Sequence, residues 1–251
     1  MGLLGSRWTR AATGVAMVSV SLQEARKADV SATELRAFRI ANDAPDALRT
    51  PVRAVMQAGT FVTVPVAAVV AALSGRRRLA VELATGGTLA WLGAKALKRL
   101  GGRGRPGALL PDVRVRESIG GDLGWVSGHT AVATTLAAIA WPDVPRSARP
   151  VLVAAVATTA FGRMYVGAHL PLDLVGGAGL GLVMSAIAGR SVVDRSEVDQ
   201  PTSCPRCRPT PCGRSMVCSS VTPPLDVGRE PNDRSVVAVG KSIPSTHRRL
   251  S

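Results

Sequence analysis

Aromatic side chains are scarce in this sequence of 251 residues: they make up 3% of it, although 46% of the residues are hydrophobic. The apolar content therefore comes from alanine, valine, leucine and glycine. Lipid gives membrane helices no hydrophobic reason to associate, so such helices pack closely through small side chains. The composition excludes a core built on large aromatic residues and favours a bundle of helices in a bilayer.

Acidic residues are outnumbered, with 17 against 31 basic ones, which gives a formal charge of +14. Such a charge is typical of nucleic-acid binding. Here the basic residues lie at the edges of apolar runs and in a polar C-terminal tail, where anionic lipid headgroups are the fitting partner. We therefore expect a membrane partner and no nucleic acid. Only four basic residues are lysine, an arginine bias that indicates a bacterial genome.

Cysteine is absent outside the stretch "CPRCRPTPCGRSMVC", which holds Cys204, Cys207, Cys212 and Cys218. Its initial CxxC occurs in zinc sites. The flanking residues are mostly proline, arginine, serine and threonine, without the apolar periodicity of a small domain. We expect no metal here, and a disordered tail over residues 190–251.

Five apolar segments lie between residues 54 and 189, which we predict to be the membrane domain. The first, residues 54–73, has 20 uncharged residues, enough to cross a bilayer, and Pro65 is expected to kink it. The others are residues 79–97, 129–141, 151–161 and 172–189. The third and fourth are short enough to be buried helices of a soluble protein. The predicted fold is an all-α transmembrane bundle of five or six spans.

Residues 1–53 form a separate N-terminal segment in this prediction. Its apolar stretch "AATGVAMVSVSL" is short for a span and leaves three interpretations open: a sixth helix, a signal-peptide core or an interfacial segment. The mixed and charged residues 23–53 are expected to form an interfacial helix that leads into the first span.

A polar stretch between the last two apolar segments, "GRMYVGAHLPLD", carries Arg163, His169 and Asp173. Ionisable groups in an apolar setting cost free energy unless they are paired or used. Pro171 fits the first turn of the final helix, which places His169 in the loop before it and Asp173 in that turn. The carboxylate then fixes the imidazole tautomer. With Arg163 as an anion fork, this stretch suits nucleophilic attack on phosphate.

Two further segments carry the residue types of an anion site. In "GWVSGHTA", Ser127 and Gly128 precede a predicted helix, whose free N–H groups and dipole attract anions, and His129 supplies an acid or base. In "KRLGGRGRP", Lys98 and Arg105 offer two cations, and Arg103 is a third candidate. Membrane helices alternate in direction, so we expect the three segments to form the active site from loops on one membrane face.

These segments resemble the signature of the type 2 phosphatidic acid phosphatase superfamily of integral-membrane lipid phosphatases, which reads KxxxxxxRP, PSGH and SRxxxxxHxxxD. Residues 98–106 match its first part. Val126 stands where the second part has proline, and Gly162 where the third part has serine. The resemblance covers residues 54–189.

The resemblance implies catalysis without a metal or cofactor. It makes His169 the nucleophile that forms a phosphohistidine, held by Asp173, while His129 protonates the leaving oxygen and then activates water. The phosphate-binding residues that it implies are Lys98, Arg105, Arg163, Ser127 and Gly128.

The implied substrate is a lipid phosphate. A bacterial carrier lipid such as undecaprenyl diphosphate is our first expectation, with phosphatidic acid and phosphatidylglycerol phosphate as further candidates. Two other readings stay open. Vanadate-dependent haloperoxidases share the signature but are soluble. A non-catalytic membrane protein that binds or transports lipid phosphate would need the cations but not the nucleophile.

We expect a multi-pass protein of the bacterial cell membrane. The basic cluster at residues 76–78, the pair Arg146 and Arg149, and the arginine-rich tail share one side, which the positive-inside rule makes cytoplasmic. The active site then faces the outside. The loop of residues 98–116 is also basic and lies on the other side, which favours the reverse orientation.

A topology reporter distinguishes the two orientations. A phosphatase that folds only after export, fused to the C-terminus, is expected to be inactive because the tail is predicted to stay in the cytoplasm. The measurement is reporter activity in intact cells, with a reporter active only in the cytoplasm as the control. An exported, active fusion would reverse the predicted orientation.

Overall fold

Every regular element that the structure describes is helical, in agreement with the predicted all-α class. The computed structural model describes residues 6–27, 29–117 and 120–189, and these ranges contain no β-strand. The predicted disordered tail and its cysteines lie outside the described residues. The α-helices are α1 (Arg7–Ala25), α2 (Ala32–Asn42), α3 (Arg49–Met56), α4 (Thr63–Leu73), α5 (Arg77–Gly101), α6 (Pro106–Leu109), α7 (Gly128–Ala140), α8 (Arg149–Tyr165) and α9 (Pro171–Ala188). Short 3₁₀ turns lie at Asp46–Leu48, Gln57–Gly59 and Arg146–Ala148.

Helix α9 packs against α1, α5 and α7, and its glycines bring its backbone onto that of α7. A Cβ atom on Gly177 would lie 2.5 Å from the carbonyl oxygen of Ser127, and one on Gly181 would lie 2.6 Å from that of Ala131. Glycine permits this approach because it has no side chain to separate the helices. The contact sets the start of α7 beside the start of α9.

Helix α1 also packs on α9 through glycine. A Cβ on Gly14 would lie 2.5 Å from the carbonyl oxygen of Gly179. From the same helix, the buried Arg10 donates through Nη1 to the carbonyl oxygen of Ala138 in α7 at 3.1 Å. The N-terminal apolar stretch is thus a helix of the bundle.

One described helix, α9, is long and apolar enough to cross a membrane by itself. A second candidate is a bent pair, Asp46–Gly59 followed by Thr63–Leu73, whose two parts meet at 66°. The predicted segments 79–97, 129–141, 151–161 and 172–189 coincide closely with α5, α7, α8 and α9.

The prediction of one helix over residues 54–73, kinked at Pro65, is wrong about the break. The chain breaks earlier, between Gly59 and Thr63, where a 3₁₀ turn ends α3 and α4 begins. Pro65 lies in the first turn of α4. The missing N–H of a proline costs no helical hydrogen bond at that place.

Residues 23–53 do not form the single interfacial helix that the sequence predicted. They contain the end of α1, all of α2 and the start of α3. Asn42, the last residue of α2, donates its side-chain amide to three backbone carbonyls, those of Arg114, Met164 and Tyr165. This ties α2 to the end of α8, just before the loop that holds His169.

The packing of α1 on α9 is open to a direct test. Gly14→Ala is expected to lower stability by about 1–3 kcal/mol, the usual cost of overpacking, because its Cβ would meet backbone atoms that cannot move aside. The measurement is the thermal unfolding midpoint of the purified protein in detergent.

The matched control is Gly93→Ala in α5, whose Cβ would make ordinary contacts at 3.5–3.7 Å with Leu180 and Met184. That change is expected to be neutral or to stabilise by up to about 1 kcal/mol, the helix propensity gained over glycine. Equal midpoints for the two variants would contradict a tight α1–α9 contact.

Candidate active site

His169 lies in the loop between α8 and α9. The carbonyl oxygen of Arg163 accepts hydrogen bonds from the N–H groups of Ala168 at 3.0 Å and His169 at 3.2 Å, which fix the loop. Asp173, in the first turn of α9, accepts a hydrogen bond from the Leu170 N–H at 2.9 Å through Oδ2, and this same oxygen lies 3.4 Å from His169 Nδ1. Because Nδ1 faces the carboxylate, Nε2 is the nitrogen left to react.

The second segment forms the start of α7. Ser127 is the N-cap residue, and its hydroxyl oxygen accepts hydrogen bonds from the N–H group of Thr130 at 3.4 Å and from its hydroxyl at 3.2 Å. Ser127 is buried in this role, and so is its neighbour Val126. Gly128 and His129, the next two residues, line a cavity beside His169.

The first segment supplies two cations to the same cavity. Lys98, in the last turn of α5, donates through Nζ to the carbonyl oxygens of Leu123 at 3.0 Å and Gly124 at 3.1 Å. Arg105 donates to three carbonyl oxygens, those of Gly120, Gly121 and Ala168. Both side chains are held by neutral acceptors, so their charge remains available to an anion.

Arg103 does not line this cavity. Its guanidinium is buried and binds two carboxylates, Glu34 of α2 and Asp173 of α9. The third cation considered in the loop of residues 98–106 therefore belongs to an ion cluster behind Asp173.

Arg163 is buried at the end of α8, with 6% of its surface exposed. Its Nη1 atom lies 3.5 Å from Oε2 of Glu117 and 3.7 Å from the sulfur of Met56. Its Nε atom has no hydrogen-bond partner among the described residues. An unsatisfied buried N–H is costly, and an oxyanion ligand would satisfy it.

Met56 also packs against Gly162, the residue that departs from the third part of the signature. A Cβ on Gly162 would lie 3.2–3.3 Å from three atoms of Met56. A serine at this position would thus require Met56 of α3 to shift by a few tenths of an ångström.

The cavity has a volume of about 420 Å³. Its wall contains six of the predicted site residues: Lys98, Arg105, Gly128, His129, Arg163 and His169. Two predicted residues lie outside the wall. Asp173 is behind His169, and Ser127 is in the helix cap.

The remaining wall was not predicted as part of the site. Phe61 and Trp91 line it with their rings 4.7 Å apart, and the Lys95 ammonium lies 3.5 Å above the Trp91 ring. Glu117 lines it as well. These residues belong to predicted spans or to the end of the basic loop, and neither context marks a site residue in a single sequence.

The cavity is rich in positive charge and poor in metal ligands. Among the described residues, four cations line it, Lys95, Lys98, Arg105 and Arg163, against the single carboxylate of Glu117. Within residues 6–27, 29–117 and 120–189, no group of three or more histidine, cysteine, aspartate and glutamate side chains could hold a metal ion. The side-chain cations are thus placed to balance the charge of an anion.

Burial, followed by the charges of Arg163, Lys98 and Arg105, lowers the pKa of His169 well below its ordinary value of 6.5. His169 is therefore neutral at physiological pH, which is the nucleophilic form of imidazole. Burial also lowers the pKa of Lys98 from 10.5 to about 8, with a further contribution from Arg105. Lys98 is charged at neutral pH and becomes neutral above about pH 8.

Helical described residues that place a histidine–aspartate pair beside several cations are typical of an enzyme that hydrolyses phosphate esters. The family match agrees with this class: residues 78–197 match the model of the PAP2 superfamily. Residues 78–197 are therefore assigned to the PAP2 superfamily, and by this class the protein is a lipid phosphatase.

Two solved structures are similar in fold. The crystal structure of LpxE from Aquifex aeolicus has 23% sequence identity and a TM-score of 0.58, and the match covers 64% of this chain and 96% of that one. The crystal structure of a transmembrane PAP2-type phosphatidylglycerolphosphate phosphatase from Bacillus subtilis has 18% identity and a TM-score of 0.54, and covers 76% of this chain and 98% of that one. At these identities the similarity shows the fold. No curated protein matches the sequence at a significant level.

The pKa of Lys98 predicts an alkaline limb in the pH profile. The value of kcat/KM, which reports the free enzyme, is expected to fall as the pH rises through about 8, because the cavity loses a cation. In Lys98→Arg the guanidinium stays charged, so the limb should move to higher pH. The measurement is kcat/KM between neutral pH and the alkaline end of the stability range.

Lys95→Arg is the matched control, because Lys95 lines the same cavity with its ammonium over Trp91. It is expected to leave the limb near its wild-type pH. A limb that stays in place in Lys98→Arg would show that another group titrates there.

Proposed function

We propose that this chain hydrolyses the phosphate monoester or diphosphate of a membrane lipid through a phosphohistidine intermediate, with His169 as the nucleophile. The observation that carries the proposal is the common cavity: residues from three separate segments meet there, with Asp173 bound behind His169. A site that only bound anions would need the cations but not the oriented, neutral histidine.

In the first step Nε2 of His169 attacks phosphorus, and the bond from phosphorus to the leaving-group oxygen breaks. His129 gives a proton to that oxygen. Burial, followed by the charges of Arg163 and the other cations, lowers the pKa of His129 to about 3. His129 therefore needs the negative charge of the bound substrate phosphate in order to carry this proton. The Nδ1 proton stays directed at Asp173, which stabilises the positive charge that develops on the ring.

Lys98, Arg105 and Arg163 stabilise the phosphoryl oxygens during this transfer. Preorganised charges aimed at the developing anion are usually the largest contribution to catalysis, and loss of one such donor costs about 10²–10³ in rate. Gly128 lets the backbone approach the phosphate at the N-terminus of α7. Ser127 acts there through its cap of the helix.

In the second step His129, now neutral, takes a proton from water as the water oxygen attacks phosphorus. The bond between phosphorus and Nε2 breaks, which releases inorganic phosphate and restores His169. No metal or cofactor takes part in the proposed sequence.

The walls of the cavity suit an amphipathic substrate. Phe61, Trp91 and Ala94 give it an apolar side next to the cationic one, which fits the first part of a lipid chain beside its phosphate. Polyprenyl diphosphate or a related carrier lipid remains our first choice, with phosphatidic acid and phosphatidylglycerol phosphate next. We also propose that the chain spans a bacterial cell membrane several times with its active site outside the cytoplasm.

The test is phosphate release from polyprenyl diphosphate and phosphatidic acid by detergent-purified protein in EDTA. Wild type is expected to be active in the chelator. His169→Ala should lower kcat by at least about 10³-fold, because loss of a nucleophile removes the covalent route.

His247→Ala is the matched control, since it changes the one histidine outside the two predicted site positions, and it should keep wild-type activity. Activity that disappears in EDTA and returns with Mg²⁺ would contradict the mechanism. Folded wild-type protein that releases phosphate from neither lipid would contradict the proposed substrate classes.

A further inference from the structure

A buried ion cluster lies directly behind Asp173. Arg103 donates to Glu34 through both terminal nitrogens, at 2.9 Å to Oε1 and 2.7 Å to Oε2, and its Nη1 also lies 3.4 Å from Asp173 Oδ1. The side chains of Arg103 and Glu34 are each 4% exposed, and that of Asp173 is 0% exposed. These three groups therefore have little water to solvate them, and they depend on one another for their charge balance.

Glu34 determines where Arg103 can be. A bidentate pair fixes a guanidinium in both position and plane, whereas the single, longer contact with Asp173 does not. Removing one partner of a buried pair leaves an uncompensated charge. Without Glu34, Arg103 would thus lose the contact that holds it against Asp173 Oδ1.

Glu34 also holds the helix that carries Asp173. Its Oε1 accepts a hydrogen bond from the Leu172 N–H at 3.0 Å, and Asp173 Oδ2 accepts one from the Leu170 N–H at 2.9 Å. Two carboxylates therefore bind free N–H groups at the N-terminus of α9, where negative charge is favoured. One of them comes from the same helix and the other from α2.

We propose that Glu34 and Arg103 are positioning residues for the Asp173–His169 pair, so that α2 completes the active site from outside the family-matched residues 78–197. Arg103 and Glu34 do not line the cavity and so act through Asp173. The proposal rests on the proposed function, in which His169 is the nucleophile.

The test is a double-mutant cycle on kcat with Glu34→Gln and Asp173→Asn. Glu34→Gln removes the charge and one acceptor with little change in shape. It should lower kcat about 10-fold, the lower end of what loss of a supporting partner costs, and leave KM within about twofold, because no phosphate contact is lost. In Asp173→Asn protein the same change should have no further effect, since residues that act through a common partner are not additive.

Asp46→Asn is the control for loss of an ion pair elsewhere. Asp46 also forms an ion pair from the N-terminal segment to a buried arginine, at 2.7 Å from Arg116 Nε, although its own side chain is 77% exposed. The terminal nitrogens of Arg116 donate to the carbonyl oxygens of Asn42, Ala44 and Tyr165. Asp46→Asn should leave kcat within about twofold of wild type. Arg103→Lys is a second variant that keeps a buried cation but cannot make the bidentate pair, and it should behave like Glu34→Gln.

A spectroscopic readout covers the case in which Asp173→Asn has no measurable turnover. The ¹⁵N signals of the His169 ring, assigned by their loss in His169→Ala, report its tautomer. Glu34→Gln or Arg103→Lys should raise the population of the tautomer protonated at Nε2, and Asp46→Asn should not. Ring signals unchanged in the folded variants would overturn the proposal.

The kinetic outcomes separate this inference from the proposed function. An inactive wild type, or a His169→Ala variant that keeps its activity, would overturn the proposed function. Active wild type with equal losses from Glu34→Gln in both backgrounds, or with no loss at all, would overturn the positioning role alone.

Discussion

The contact between the first turns of α7 and α9 is the constraint on which the site depends. Ser127 donates its N–H to the carbonyl oxygen of Asp173 at 2.9 Å, and Gly177 lets the two backbones meet one turn further on. His129 lies in the first turn of α7, and His169 lies two residues before α9. Their separation is therefore set by backbone contacts, which are more rigid than the rotamers of long side chains.

The cations of the site repel one another, and neutral backbone carbonyl groups hold them in place. Lys98 and Arg105 are bound by five backbone carbonyl oxygens in total, and Arg163 has one carboxylate nearby. Carbonyl dipoles hold a cation in place without cancelling its charge. The site is thus arranged before any phosphate arrives, so little reorganisation is needed during the reaction.

The sequence predicted the local parts of this arrangement well. The positions of His169 before a helix and Asp173 within its first turn follow from Pro171, since proline is favoured at the start of a helix. The helix predicted to begin near His129 begins one residue earlier, at Gly128, with Ser127 as its N-cap residue. These predictions succeed because each depends on residues only a few positions apart.

Contacts between distant segments could not be predicted. The link from Glu34 to Arg103, and that from Met56 to Arg163, join residues far apart in the chain, and a single sequence has no pattern that pairs them. The break before Thr63 was missed because an uninterrupted apolar run reads as one span. Arg103 was considered as a third cation of the anion site for the same reason. The sequence around a loop arginine does not show whether its side chain faces a cavity or a buried carboxylate.

The part of the chain that packs together is larger than residues 78–197, which match the family model. A chain cut to residues 78–197 would lose α1, which covers one side of α9, and α2, which supplies the carboxylate that pairs with Arg103. It would keep every residue of the three-part signature and yet leave a buried arginine without its bidentate partner. Minimal versions of this enzyme should therefore be designed from the packing of α9, and not from the limits of the recognisable motif.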